Sequence, residues 1–420
     1  MSLLKLLSYS LLRALTFPFS LLSYTQIHAI GKKLGTALYY LFPKFRKRAL
    51  SNLALASDLQ LNEKEIIQFA KESFQNLAIT CLEYAKLANE KDISRIARCE
   101  NPEIADQLMA QGKNVIFFCG HQANWELLFL EGTSRMPGVA IGRPIKNGKL
   151  YNWILNIRQK FGGKIITPKN AFREGLKALK SGSFLGIVGD QGMPDSGFSS
   201  SFLGRRAWTS PLPAILAYRT GKPLMVATTK RQDGKYLIHY SEPLWADLSQ
   251  SMEKEIERLM GKCLSLLEAS IRENPGQWLW QHNRWKQQTP EKLKRKFRHE
   301  TIAIILPHQK NSFDEIISHL PLFRELYPYE FITLFVPKEF AEAEKLEEWE
   351  VHPYEKEEDL HVRDFSYKLI FNFSVFTSVG SHFLSLGAFE VINFADLQEE
   401  ANDNSSNFSH ILKAAISHAT

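Results

Sequence analysis

Short, uninterrupted apolar runs alternate with stretches of helical periodicity from about residue 60 to residue 230. That alternation predicts an α/β core. Val115–Cys119 and Phe184–Val188 are continuously apolar and too short for helices, which suits strands of a parallel sheet covered on both faces. Leu224–Thr229 and the shorter Gly163–Ile166 read as further strands. Helices are predicted over Leu61–Leu87, with Asn62 as its cap, over Leu150–Phe161 and over Ala171–Lys180. Another is predicted over Pro211–Thr220, opening on the proline that a first turn tolerates. A break falls at Thr289-Pro290, and the run EKLKRKFRH after it reads as a solvated helix face. A second alternation follows, with strands predicted at Thr301–Leu306, Phe331–Val336 and Lys368–Phe373.

The N-terminus has a different pattern. Ala14–Ile30 contains no Asp, Glu, Lys or Arg, and Met1–Leu12 adds only Lys5. Arg13 and Pro18 interrupt the stretch, so it makes a poor single span of about 20 residues. A tilted or in-plane anchor, followed by the basic cluster Lys44, Arg46, Lys47 and Arg48, fits it better. The fold class that results is α/β: a mostly parallel central sheet flanked by helices, an N-terminal membrane anchor and a second, smaller α/β module. The expected divisions are 1–48, 49–290 and 300–420.

Charge sharpens that division. The net of +7 conceals residues 301–420, with 8 Lys+Arg against 20 Asp+Glu, a net of −12; residues 1–300 are left at +19. A basic body asks for an anionic partner. No zinc-knuckle, helix-turn-helix or aromatic stacking signature accompanies the charge, so an anionic membrane is expected and nucleic acid is not. Four dispersed cysteines with no C-x-x-C read as reduced core thiols.

The candidate chemistry lies just after the first buried strand, in GHQANWE. Gly120 ends the strand and Asn124 can cap the helix that begins at Trp125, so His121 and Glu126 bracket a strand-to-helix turn. Ligands of open α/β sheets bind at that edge. An imidazole titrating near neutrality can take a proton there while a carboxylate orients it. No metal is expected, because helical metal pairs use i,i+4 spacing and want a third ligand. No cofactor is called for either.

Several motifs accompany this pair: Gly142-Arg143-Pro144, Arg158 on the next helix, Asp190 and Gln191 in GDQG, SFLGRRAWTS, and QWLWQHNRWK at 277–286. In this order, and with FRKRALSNLAL near the start, they resemble the late acyltransferases of lipid A biosynthesis. These are the lauroyl and myristoyl transferases of the lysophospholipid acyltransferase superfamily. The resemblance spans about residues 5–290 and implies a glycerolipid acyltransferase-like fold at the cytoplasmic face of a bacterial inner membrane. It implies His121 as general base with Glu126 as its carboxylate partner. Arg143 and Arg158 would meet anionic groups of the acceptor or the donor's phosphopantetheine, and Asp190, Asn124 and Gln191 would join the substrate-binding residues. The family's aspartate motif usually reads PDQ, and Gly189 replaces that proline here. Residues 301–420 lie outside the pattern and faintly resemble half of a heptosyltransferase-like glycosyltransferase, through TIAIILP, LPLFRELYP and FITLFVP. A non-catalytic accessory module that projects away from the membrane is expected.

The implied reaction passes an acyl chain from acyl carrier protein to a hydroxyl of a Kdo-bearing lipid A precursor. No Gly-x-Ser-x-Gly elbow is present, which favours direct attack by the acceptor over an acyl-enzyme. Backbone N–H groups of Gln122–Trp125, or a nearby arginine, are the candidate oxyanion donors. Two other readings stay open: a different anionic acceptor such as lysophosphatidate or a glycolipid, and a catalytically silent membrane scaffold.

Overall fold

The apolar runs at 116–119 and 184–188 become adjacent strands in the middle of a seven-stranded sheet. The structure, a computed structural model, describes residues 3–288, 294–342, 346–403 and 407–418. Helices α1 (Leu3–Thr16), α2 (Tyr24–Leu41), α3 (Pro43–Leu55) and α4 (Glu63–Leu87) come first. There follow β1 (Ala97–Cys99), α5 (Pro102–Ala110), β2 (Ile116–Cys119), α6 (Glu126–Arg135), β3 (Gly138–Ile141), α7 (Gly148–Arg158) and β4 (Lys164–Ile166). Next are α8 (Ala171–Lys180), β5 (Phe184–Val188), the hairpin β6 (Phe198–Phe202) and β7 (Arg205–Thr209), and α9 (Leu212–Thr220). Strands β8 (Leu224–Gln232) and β9 (Lys235–Tyr240) and helix α10 (Met252–Glu273) complete this part.

The strand order is β1-β9-β8-β2-β5-β3-β4, and every neighbouring pair is parallel except β8 with β9. The exception comes from Asp233-Gly234, both at positive φ, a two-residue turn whose twist suits a hairpin. The sheet is covered on both faces. Ile116 and Phe118 join one core, and Phe117 and Cys119 join the other. Full burial of each such phenylalanine contributes roughly 1.5–3 kcal/mol.

The described N-terminal segment forms no membrane span. Among the described residues no helix is long and apolar enough to cross a membrane. Helix α1, at 14 residues, reaches only about 21 Å. Helix α2 is built into the body, because Gly31 and Gly35 let it cross α4 closely; a Cβ on Gly35 would lie 2.3 Å from the Gln75 Cα. Exposed side chains are still concentrated here, including Leu7, Leu11, Leu15, Phe17, Leu21, Leu41 and Phe42.

The second module is a five-stranded, all-parallel sheet. It contains β11 (Thr301–Ile305), β12 (Phe331–Pro337), β13 (Glu350–Tyr354), β14 (Leu369–Asn372) and β15 (Glu390–Ile392), in the order β13-β12-β11-β14-β15. Ahead of it, β10 (Lys294–Arg295) pairs antiparallel with β16 (Ser417–His418). The expected break at Thr289-Pro290 lies outside the described residues. The described part of the charged run is not the expected helix face; it forms β10 and a loop in which Phe297 is buried.

The module does not project freely from its neighbour. Lys47 donates to the Ala388 carbonyl at 2.6 Å and Ser51 to that of Ser366 at 2.9 Å. Phe365 is buried within the core of the first domain. Three of the four cysteines are buried and free, whereas Cys81, expected in the core, is exposed.

Candidate active site

Two parallel strands of matched register bring the site together. Cys119 of β2 lies opposite Val188 of β5, so the residues two further along, His121 and Asp190, meet beyond the sheet edge. His121 donates its backbone N–H to Asp190 Oδ2 at 2.7 Å, and its ring Nδ1 contacts Oδ1 at 2.6 Å. Trp278 Nε1 also donates to Oδ2 at 2.7 Å. Burial alone would raise the Asp190 pKa. The His121 charge, the two His121 bonds and Trp278 outweigh it and bring the carboxyl to about 2. An anionic Asp190 only accepts, so Nδ1 is a donor, and it is Nε2 that carries the lone pair whenever the ring is neutral. The side-chain amide of Gln191 faces Nε2 at 3.4 Å.

Glycines permit this approach. A Cβ on Gly120 would lie 2.8 Å from Leu267 and 3.1 Å from Asp190 Oδ2. Gly189, which stands where the resembled family has proline, donates its N–H to the Cys119 carbonyl at 3.0 Å, a bond that proline cannot make.

The pairing of His121 with Glu126 is not the one formed. Glu126, buried at the start of α6, makes a bidentate ion pair with Arg158: 2.7 Å to Nε and 2.5 Å to Nη2. Arg158 Nη2 also donates to Tyr84 OH at 3.3 Å. Burial pushes Glu126 upward, but the Arg158 charge and bonds hold it below the usual carboxylate range. Five residues around a turn left Glu126 near His121 without aiming it at the ring. The Arg158 guanidinium, expected to meet anionic groups of a substrate, is paired with the Glu126 carboxylate. Arg143 stands apart, exposed after β3.

Asn124 does more than cap. Its Oδ1 accepts from the Glu126 N–H at 3.2 Å, while its Nδ2 donates to the buried Glu83 at 2.7 Å. Ala123 adopts φ +44, a strained left-handed conformation for a residue with a Cβ. Asn76 and Thr80 hold its carbonyl, and its N–H donates to the Gln277 carbonyl. The Gln122 and Ala123 amides are therefore already bonded and unavailable as the expected oxyanion donors. Helix α4 and the tryptophan-rich motif hold the turn, and neither contribution was assigned from sequence.

Beside the ring, 4.8 Å from it, lies Trp125, which helps line an apolar cavity. Phe117, Cys119, Leu128, Phe129 and Phe184 line it between the sheet and α6. His282, from the same motif as Trp278, lies within electrostatic reach of Asp190 and His121. Burial is the main force lowering its pKa, to about 4. A histidine depressed in the folded state stabilises fully above its unfolded pKa near 6.5 and loses that contribution as pH falls toward 4. His282→Gln is accordingly expected to flatten the fall of the urea midpoint between about pH 6.5 and 4. An unchanged slope would show that other groups set acid stability.

Residues 2–287 match the sequence model of a family described as bacterial lipid A biosynthesis acyltransferase. No curated protein matches the chain.

Proposed function

The chain belongs to the bacterial lipid A biosynthesis acyltransferase family, and from that membership we propose that it passes a fatty acyl chain from acyl carrier protein to a hydroxyl of a Kdo-bearing lipid A precursor. The observation that carries the reading is an Asp-held imidazole packed against Trp125, a residue that lines an apolar cavity. The acyl chain enters beside Trp125, where the cavity has to widen to hold it, with the thioester carbonyl at His121. Nε2 takes the hydroxyl proton as the acceptor oxygen attacks that carbonyl. The carbon–oxygen bond forms, the carbon–sulfur bond breaks, and the imidazolium returns its proton to the leaving thiolate. Asp190 keeps the ring in the right tautomer and stabilises the imidazolium.

Direct transfer fits better than an acyl-enzyme. Cys119 is the thiol lining the cavity, and burial, with the charges of Asp190 and Glu126, pushes it well above the usual thiol range. A thiol held protonated is a poor nucleophile. The oxyanion falls to Arg158 or to the amides of Asn124 and Trp125.

The acceptor enters from a lipid surface at the cytoplasmic face of the inner membrane. Leu7, Leu11 and Leu15 of α1 are each more than half exposed, which suits an in-plane helix. Arg13 of α1 lies 4.3 Å from the Trp153 ring centroid on α7, the helix that ends in Arg158. On this reading the lipid-facing helix is the one that packs against α7.

The test combines full-length protein, acyl-loaded carrier protein and the lipid A precursor in anionic vesicles. A product one acyl chain heavier is expected, together with sedimentation of the protein on the vesicles. Transfer to lysophosphatidate alone, or no transfer, would overturn the acceptor assignment, and failure to sediment would overturn the membrane reading.

A further inference from the structure

Building on the reading of His121 as the base, we propose that the C-terminal module completes the acyltransferase site, with Lys368 and Glu300 acting as positioning residues that fix Asn283 and, through it, the Asp190 turn. Lys368 directly precedes β14 and Glu300 directly precedes β11, and the two form an ion pair with each side chain only 2% exposed. Asn283, from QWLWQHNRWK, bridges them. Its Nδ2 donates to Glu300 Oε2 at 3.3 Å, and its Oδ1 accepts from Lys368 Nζ at 3.2 Å.

The backbone of Asn283 and Arg284 lies directly against Gly192. A Cβ there would be 2.7 Å from the Arg284 carbonyl oxygen and 3.0 Å from that of Asn283. Gly192 follows Gln191 and is two residues from Asp190, the groups that face the two ring nitrogens of His121. A continuous path of contacts therefore runs from the module to the imidazole. Helix α3 supplies a second one. Asn52 donates to the carbonyls of Trp280 and His282, and its neighbour Ser51 donates to Ser366, two residues before Lys368.

A buried ion pair is weak evidence for stability, because desolvating both charges offsets most of their attraction. What this pair does specify is geometry: two fixed charges set the position of one carboxamide. Residues 300–420 lie outside the matched family sequence, so this contribution is particular to a chain that carries the module.

The experiment compares two full-length variants with the wild type. Asn283→Ala keeps the ion pair and removes the bridge; Lys368→Met/Glu300→Leu removes both charges while filling similar volume. Both are expected to lower kcat by about tenfold to a hundredfold, the scale of a small misplacement of reacting groups. KM for the acyl thioester should stay unchanged, and the melting temperature of the paired variant should stay near that of the wild type. The Nδ1–H proton resonance of His121, expected far downfield in the wild type from its 2.6 Å contact with Asp190, should move or broaden in both, an effect that simple loss of packing elsewhere would not produce. Wild-type kcat together with an unmoved resonance in folded Asn283→Ala would overturn the proposal. Should the paired variant fail to fold, Asn283→Ala alone decides. If the wild type transfers no acyl group, the functional reading fails separately, and the resonance still tests the coupling.

Discussion

Asp190→Asn is expected to lower kcat by about 10³–10⁴-fold, or roughly 4–5.5 kcal/mol of transition-state stabilisation, with the fold intact. Three donors converge on its two oxygens: the His121 N–H, His121 Nδ1–H and Trp278 Nε1. A carboxamide offers one accepting oxygen, so its NH₂ must confront a donor. The ring can escape by moving its proton to Nε2. It then presents a donor where the acceptor hydroxyl needs a base, and nothing compensates the imidazolium charge. His121→Ala should fall at least as far, and the double variant should be no worse than His121→Ala, because the pair acts as one unit. Steady-state kinetics with near-UV circular dichroism as the fold control checks this. An Asp190→Asn enzyme retaining more than a tenth of wild-type kcat would remove Asp190 from the mechanism and reopen the case for Glu126.

Why sequence pointed to Glu126 rather than Asp190 has a physical answer. The strand, the glycine that ends it and the histidine are contiguous, so the base is legible from local pattern alone. Its partner lies 69 residues away and is reached through the register of β2 against β5. One signal was available: both predicted buried strands end in glycine followed by a titratable residue, Cys119-Gly120-His121 and Val188-Gly189-Asp190. Adjacent parallel strands of similar depth would place those two residues side by side. The predicted helices and inner strands were legible because their apolar periodicity is strong; Ala171–Lys180 and Phe184–Val188 form at the predicted bounds. The missed strands are edge or near-edge ones. Strand β13 is mostly exposed and contains Pro353, which only an edge strand tolerates. Strand β9 is marked in the sequence chiefly by the Asp233-Gly234 turn that folds it back on β8. Docking of the second module had no sequence signal at all, since Lys368 and Glu300 are ordinary charges until the fold buries them together.

The second large effect concerns Glu126 and Arg158. Glu126→Gln leaves the Arg158 guanidinium largely buried without a carboxylate, and breaking such a pair costs about 3–5 kcal/mol of stability. The same change should lower kcat about 10²-fold, because Glu126 opens α6 and its loss lets the helix start and Trp125 shift against His121. Arg158→Lys should recover only part of either property, since a point charge cannot reproduce the two parallel bonds or the contact to Tyr84. The paired Glu126→Leu/Arg158→Met variant separates the roles. Replacing a buried ion pair by apolar groups of similar volume is commonly neutral for stability, so its melting temperature should recover while its kcat does not. If activity recovers along with stability, the pair only supports the fold, and Arg158 makes no contact with the reacting groups. If kcat stays low in a variant that melts like the wild type, the charges themselves act on the reaction, which favours Arg158 over the Asn124 and Trp125 amides as the oxyanion donor.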